Sequence, residues 1–199
     1  MLNSKLPDVG TTIFTIMSQL SAEQKAINLG QGFPEFNPDE KLIALVDKAM
    51  KDGYNQYPYM PGVAPLREEI ALKMSTLYAA KYDPLTEITV TNGATEAIMA
   101  TILAAVSVGD EVIVLEPCYD SYVPSIRLAG GTPIFVPLTA PKNEGESFSI
   151  DWERVESAIT EKTKLLILNF PHNPTGITLK ENDLNILEGI LDKHNILIF

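Results

Sequence analysis

Leu165-Leu166-Ile167-Leu168-Asn169-Phe170-Pro171-His172-Asn173-Pro174-Thr175-Gly176 is the stretch whose reading decides the fold. An apolar run ends here in a stiff polar turn, which is how an open α/β sheet offers a polar side chain to a ligand. Pro171 and Pro174 fix φ on either side of Asn173 and cannot extend a ladder, so the Asn173 amide is expected at the carboxyl end of a strand. Taken alone, Asn-Pro-Thr-Gly is also ordinary turn chemistry. The neighbouring segments decide between the two readings.

Upstream, strand-like and helix-like patterns alternate. Strands are predicted at Ile88 to Thr91, Glu111 to Leu115, Pro133 to Val136 and Lys164 to Asn169, and helices at Ala94 to Val106 and Asp120 to Ala129. A short helix is predicted from near Asp151, and another, capped by Thr178 and Glu181, runs to about Lys193. This alternation implies an α/β fold, three layers with a mostly parallel sheet. Ile196 to Phe199 reads as a strand in the buried centre of such a sheet. A chain end there would be costly to desolvate, so truncation is expected.

Toward the N-terminus the pattern changes. Residues 1–10 read as an irregular arm, followed by a helix over Thr12 to Leu20. Ile27 to Pro38 is a Gly/Pro-rich loop leading to a helix with Asn37 as N-cap, Pro38 at its first position and Glu40 completing a capping box. That helix is predicted to bury Leu42, Leu45, Val46 and Ala49 and to end at Gly53. Tyr54 to Gly62 is an aromatic, proline-rich loop before a helix with Leu66, Ile70 and Leu77 on one face. These boundaries divide the chain into an arm and substrate loop, 1–40, and a larger domain, 41–199.

Composition excludes several function classes. Fifteen Lys and Arg against 26 Asp and Glu give a formal charge of -11 with no basic run, which disfavours nucleic acid and anionic membranes as partners. No apolar run approaches the roughly 20 residues of a membrane span. The single cysteine, Cys118, excludes an internal disulfide and fits a reducing, cytoplasmic setting. His172 and His194 stand too far apart in sequence to suggest a metal site, and none is expected.

Three segments carry candidate chemistry. Thr91-Asn92-Gly93-Ala94-Thr95-Glu96-Ala97 joins a strand to a helix with small residues that let an anion approach the helix N-terminus. It reads either as a phosphate cradle, with the Ala94 N–H and the Thr95 hydroxyl as donors, or as a plain connection. It lacks the Gly-Lys-Ser/Thr of a Walker loop. Glu116-Pro117-Cys118-Tyr119-Asp120-Ser121-Tyr122 opens at the same sheet edge, where Tyr119 is placed either to stack on a flat heterocycle or to cap the core. Gly30-Gln31-Gly32-Phe33-Pro34 begins like a dinucleotide fingerprint, but Glu35 replaces the third glycine and Pro34 interrupts the turn. Gly32 in a bend and Tyr57 in Tyr57-Pro58-Tyr59-Met60-Pro61-Gly62 read as ligand contacts or as loop structure.

In their order along the chain, Gly-Gln-Gly-Phe-Pro, Tyr57 ahead of Pro-Gly and Leu66-Arg67-Glu68, Thr-Asn-Gly-Ala-Thr-Glu-Ala, Glu-Pro-x-Tyr-Asp-x-Tyr and Asn-x-Pro-His-Asn-Pro-Thr-Gly together resemble the fold-type-I, class I/II aminotransferases that use pyridoxal phosphate. Within that family the opening Ser4-Lys5-Leu6-Pro7 and Gly10-Thr11-Thr12-Ile13-Phe14 are most similar to the methionine and kynurenine aminotransferases. The resemblance implies that Asn173 hydrogen-bonds the cofactor's phenolic oxygen, Tyr119 stacks on its ring, and Ala94 and Thr95 hold its phosphate. It also implies that Tyr57 reaches the phosphate of a neighbouring subunit in a homodimer, and that Gly32 borders the substrate carboxylate.

The family's cofactor-bearing lysine, its pyridinium-pairing aspartate and its substrate-binding arginine are expected beyond Phe199. No lysine here stands in the family's Ser-x-x-Lys context, so none is assigned as catalytic, and turnover by these residues alone is not expected. The family's sheet sets Ile88 to Thr91 beside strands that also lie beyond Phe199, so this segment is expected to lack neighbours. The implied reaction moves an amino group between an amino acid, methionine or an aromatic, and a 2-oxo acid. Two alternatives stay open: a carbon-sulfur β-lyase on the same scaffold, and a non-catalytic fragment serving folding or dimerisation.

Overall fold

A computed structural model describes residues 3–32 and 34–199. The chain forms two compact units, Thr11–Asn92 and Gly93–Phe199 with Met1–Gly10.

In the second unit the elements follow as helix α4 (Gly93–Ala105), strand β1 (Glu111–Glu116), helix α5 (Tyr122–Ala129), strand β2 (Thr132–Pro137), helix α6 (Trp152–Ser157), strand β3 (Thr163–Ile167), helix α7 (Glu181–Lys193) and strand β4 (Leu197–Ile198). Among the described residues the sheet has four strands in the order β2-β1-β3-β4, every neighbouring pair parallel. Alternation along the strands sorts the core onto two faces. Val112, Val114, Leu165 and Ile167 pack with Ile98 and Ile102 of α4 and Ile126 of α5. Ile113, Leu115 and Leu166 face the other way, onto Trp152 and Val155 of α6 and Leu187 and Ile190 of α7. Helices cover both faces, so strands β1 and β3 are apolar at successive positions, as a doubly covered parallel sheet requires.

The first unit holds α1 (Ile13–Gln24), α2 (Glu40–Lys51) and α3 (Ala64–Tyr78). Thr12 caps α1, accepting from the Thr15 N–H at 3.3 Å. Asp39 caps α2 through a 2.8 Å bond from the Lys41 N–H, in place of the expected Asn37. The carboxylate stands nearer the orphan donors of the first turn and accepts more strongly than an amide.

Buried groups in this unit are few. Arg67, 2% exposed, donates from Nε to the Ile88 carbonyl at 2.9 Å and lies 5.9 Å from the centre of the Tyr59 ring. The Val90 N–H donates to the Pro61 carbonyl at 2.8 Å, and a side chain at Gly62 would strike Val90. Arg67 therefore ties the Tyr59–Gly62 loop to segment 88–90.

Several expectations change. Ile88 to Thr91 is not a strand; its backbone is engaged through Arg67 and Pro61, and strand structure requires a ladder neighbour. Leu42, Leu45 and Val46 are each more than half exposed, because periodicity marks an apolar face without supplying what covers it. Helix α5 starts at Tyr122, after a turn closed by the Tyr122 N–H on the Tyr119 carbonyl at 3.3 Å, rather than at Asp120. Thr178 does not cap α7; the Asp183 carboxylate turns back to the Lys180 N–H at 2.8 Å and starts the helix there. Leu197 and Ile198 are 48% and 42% exposed, β4 being an outer strand among the described residues.

Among the described residues, no helix is long and apolar enough to cross a membrane, and no group of three or more His, Cys, Asp and Glu side chains gathers to hold a metal ion.

Candidate active site

The strand order fixes where a ligand can sit. Strand β1 lies between β2 and β3, and the chain winds outward from it in both directions, through α5 on one face and α6 on the other. The loops leaving β1 and β3 therefore part at their carboxyl ends, which opens the crevice in which doubly wound sheets bind ligands. Val114 of β1 is in register with Ile167 of β3, so Tyr119 and Asn173 follow the ends of adjacent strands. An open hollow of about 530 Å³, lined by Thr160, Thr163, Lys193 and Asn195 among others, lies at the opposite, amino edge and is unrelated to this crevice.

Helix α4 begins at Gly93, whose φ of 79° is costly for any other residue and whose missing side chain leaves open space. Ala94 and Thr95 are exposed in its first turn, where helix geometry aims N–H groups outward. The Thr95 hydroxyl lies 3.5 Å from the Tyr119 hydroxyl, so the phosphate-type turn and the candidate stacking ring meet. Beneath, the Tyr122 ring stands edge-on to Tyr119 at 5.8 Å and 78°, and it is buried at the start of α5. That edge contact sets the plane of the half-buried Tyr119 ring.

Asn173 lies in the turn after β3, exposed, with its backbone N–H bonded to Asn169 Oδ1 at 2.9 Å. His172 beside it is buried, and its Nδ1 is 2.8 Å from Thr175 Oγ1. The Asn169 and Thr175 contacts escaped sequence reading, although a polar residue four positions before Asn173 and another two after it were their available signal.

Burial favours the uncharged forms of Cys118, Tyr122 and His172. Burial foremost, then the Glu116 and Asp120 carboxylates, pushes the Cys118 thiol up. Burial foremost also raises the Tyr122 phenol, and burial lowers the His172 imidazole. The Ser121 hydroxyl is buried without a hydrogen-bond partner, two residues beyond Tyr119. These features suit a phosphorylated flat heterocycle: an anion at the α4 terminus, a ring against Tyr119 and a polar ring substituent near Asn173.

Gly32 and Tyr57 belong to the other unit. Tyr57 is fully exposed and Gly32 has open space around it, in a loop held to α1 by a 3.1 Å bond from Ser18 Oγ to Gln31 Oε1. Phe33 of the same motif lies outside the described residues.

The model of the family described as aminotransferase class I and II matches residues 24–199. Methionine aminotransferase of Escherichia coli (strain K12) is 44% identical over 195 residues, covering 98% of this chain and 49% of that protein. A probable N-succinyldiaminopimelate aminotransferase of Mycobacterium tuberculosis (strain ATCC 25618 / H37Rv) is 41% identical over 198 residues, 100% of this chain and 49% of that protein. Among solved structures, an Escherichia coli protein with a methionine aminotransferase function matches at TM-score 0.92 and 43% identity, over 100% of this chain and 50% of that one. The chain spans about half the length of the curated relatives it matches. Its covered parallel sheet is that of the fold-type-I large domain. With most of its length matched by the family model, the chain belongs to the class I and II aminotransferases.

Proposed function

We propose that these residues form the cofactor-holding part of a pyridoxal-phosphate-dependent aminotransferase that moves an amino group between an amino acid, methionine or an aromatic, and a 2-oxo acid. The observation that carries the reading is the meeting of Thr95 and Tyr119 hydroxyls at 3.5 Å, beside the crevice where the strand order switches. When bound, pyridoxal phosphate supplies the electron sink for the transfer. Ala94 offers its N–H and Thr95 its hydroxyl to the phosphate, and Tyr119 fixes the ring plane. Asn173 donates its side-chain amide to the ring oxygen. Gly32 leaves room for the substrate carboxylate.

Tyr57, fully exposed, reaches a second subunit's phosphate in a homodimer. In this division, 1–40 is the arm and substrate loop and 41–199 belongs to the large domain. The protein works in the cytoplasm. Residues 1–199 hold the cofactor but assign no catalytic lysine.

The test is absorbance titration of the full-length protein with pyridoxal phosphate, followed by assay of methionine, kynurenine and phenylalanine with 2-oxo acids. Amino transfer that requires the 2-oxo acid supports the reading. Release of ammonia and a thiol from a sulfur amino acid without one assigns the scaffold to β-elimination instead.

A further inference from the structure

We propose that His172 is a positioning residue: its imidazole, held by Thr175, sets the direction in which the Asn173 amide leaves the sheet edge. The inference rests on the proposed contact of Asn173 with the cofactor. Strand β3 gives out at Ile167, and one further sheet bond, from the Leu168 N–H to the Phe199 carbonyl at 2.7 Å, follows it. The turn beyond carries two prolines and a glycine, so its shape must come from elsewhere.

His172 is where that shape is fixed. It is 5% exposed, while Pro171, Asn173 and Pro174 on either side are exposed. Its N–H donates to the Ile177 carbonyl at 2.8 Å, and its carbonyl accepts from the Gly176 N–H at 2.7 Å. These bonds close a loop of six residues on itself, and the 2.8 Å contact between His172 Nδ1 and Thr175 Oγ1 braces it from within. The Phe170 ring, 5.9 Å away and tilted by 39°, packs against the imidazole. The Asn173 N–H is thus bonded to the Asn169 side chain, and the turn on which Asn173 stands is spanned by the His172 to Thr175 contact. Burial lowers the imidazole's proton affinity, so the brace is a neutral hydrogen bond at neutral pH.

An aromatic hydrocarbon in this place would fill the space and lose the bond. An asparagine would set an amide atom near the position of Nδ1. The chemistry therefore predicts that His172→Phe fails where His172→Asn succeeds, and that Thr175→Val reproduces His172→Phe.

The experiment uses the full-length protein and reads two quantities. The first is the affinity and visible absorption maximum of added pyridoxal phosphate, with Asn173→Ala as reference. The second is hydrogen exchange of peptide 169–177 in the cofactor-free protein. Expected are binding about tenfold weaker in His172→Phe and Thr175→Val, an absorption maximum displaced in the same sense as in Asn173→Ala, and faster exchange confined to this peptide. His172→Asn restores the maximum. The double variant His172→Phe with Thr175→Val is no worse than either alone, as expected of one shared bond.

Native affinity and an undisplaced maximum in Thr175→Val overturn the proposal even where His172→Phe does not fold. If the unsubstituted protein takes up no pyridoxal phosphate, the proposed function falls and this inference with it. If it does, and both variants match it, only the role of His172 is lost.

Discussion

Trp152 Nε1 donates a 2.9 Å hydrogen bond to Asp183 Oδ1, joining the start of α6 to the first turn of α7. The other carboxylate oxygen of Asp183 accepts from the Lys180 N–H at 2.8 Å. One side chain therefore satisfies both a buried indole and a helix start. In Asp183→Leu both donors lose their acceptor, and stability falls by about 2 kcal/mol. Trp152 is the sole tryptophan, so urea unfolding followed by its emission reads this directly. A lowered midpoint with an unchanged m value and a red-shifted native emission are expected.

Arg67 gives a second expectation, in the other unit. Arg67→Met keeps much of the volume but leaves the Ile88 carbonyl without the Nε donor, a loss of about 1–3 kcal/mol in a buried setting. Arg67→Lys does not restore it, because an ammonium cannot reproduce the planar guanidinium beside Tyr59. Limited proteolysis cuts residues 57–62 faster in both variants.

Tyr119 separates ring from hydroxyl. At 3.5 Å its contact with Thr95 is at the limit of a hydrogen bond. Tyr119→Phe therefore leaves pyridoxal phosphate affinity within about twofold. Tyr119→Ala removes the stacking surface, with binding weaker by about tenfold. Equal losses in the two variants would assign the work to the hydroxyl.

Cys118 reports the local charge. Burial and two neighbouring carboxylates raise its pKa, so less thiolate is present at any given pH than in a free thiol. Iodoacetamide alkylation at pH 8 is slower than for glutathione, and its rate keeps climbing at more alkaline pH than the free thiol's. Glu116→Gln and Asp120→Asn each speed the reaction, because each removes a like charge that opposes ionisation.

What the sequence made legible was the sheet and its polar edge. The apolar runs of β1 and β3 and the turns that end them are local patterns, and Thr95 stands on a helix start and Tyr119 and Asn173 on loops after strands, as those patterns imply. What escaped depended on partners distant in sequence or on competition between near neighbours. Leu45 has the spacing of a buried residue and is exposed; Ile88 to Thr91 has the composition of a strand and does not form one. Asp39 and Asp183 took over the helix starts expected at Asn37 and Thr178, since propensity alone does not rank adjacent acceptors. The family resemblance was silent on the contact between His172 and Thr175.

Because all the paired strands run the same way, the sheet has a rear rim as well as a working one. There the connectors 107–110 and 160–162 are largely exposed, and they knit to the sheet through backbone bonds such as Glu111 N–H to the Lys162 carbonyl at 2.8 Å. Side chains on that rim can be exchanged without touching the crevice. A linker attached through Lys162→Cys would fasten the molecule to a sensor surface by its back, with the Asn173 turn pointing into the flowing solution.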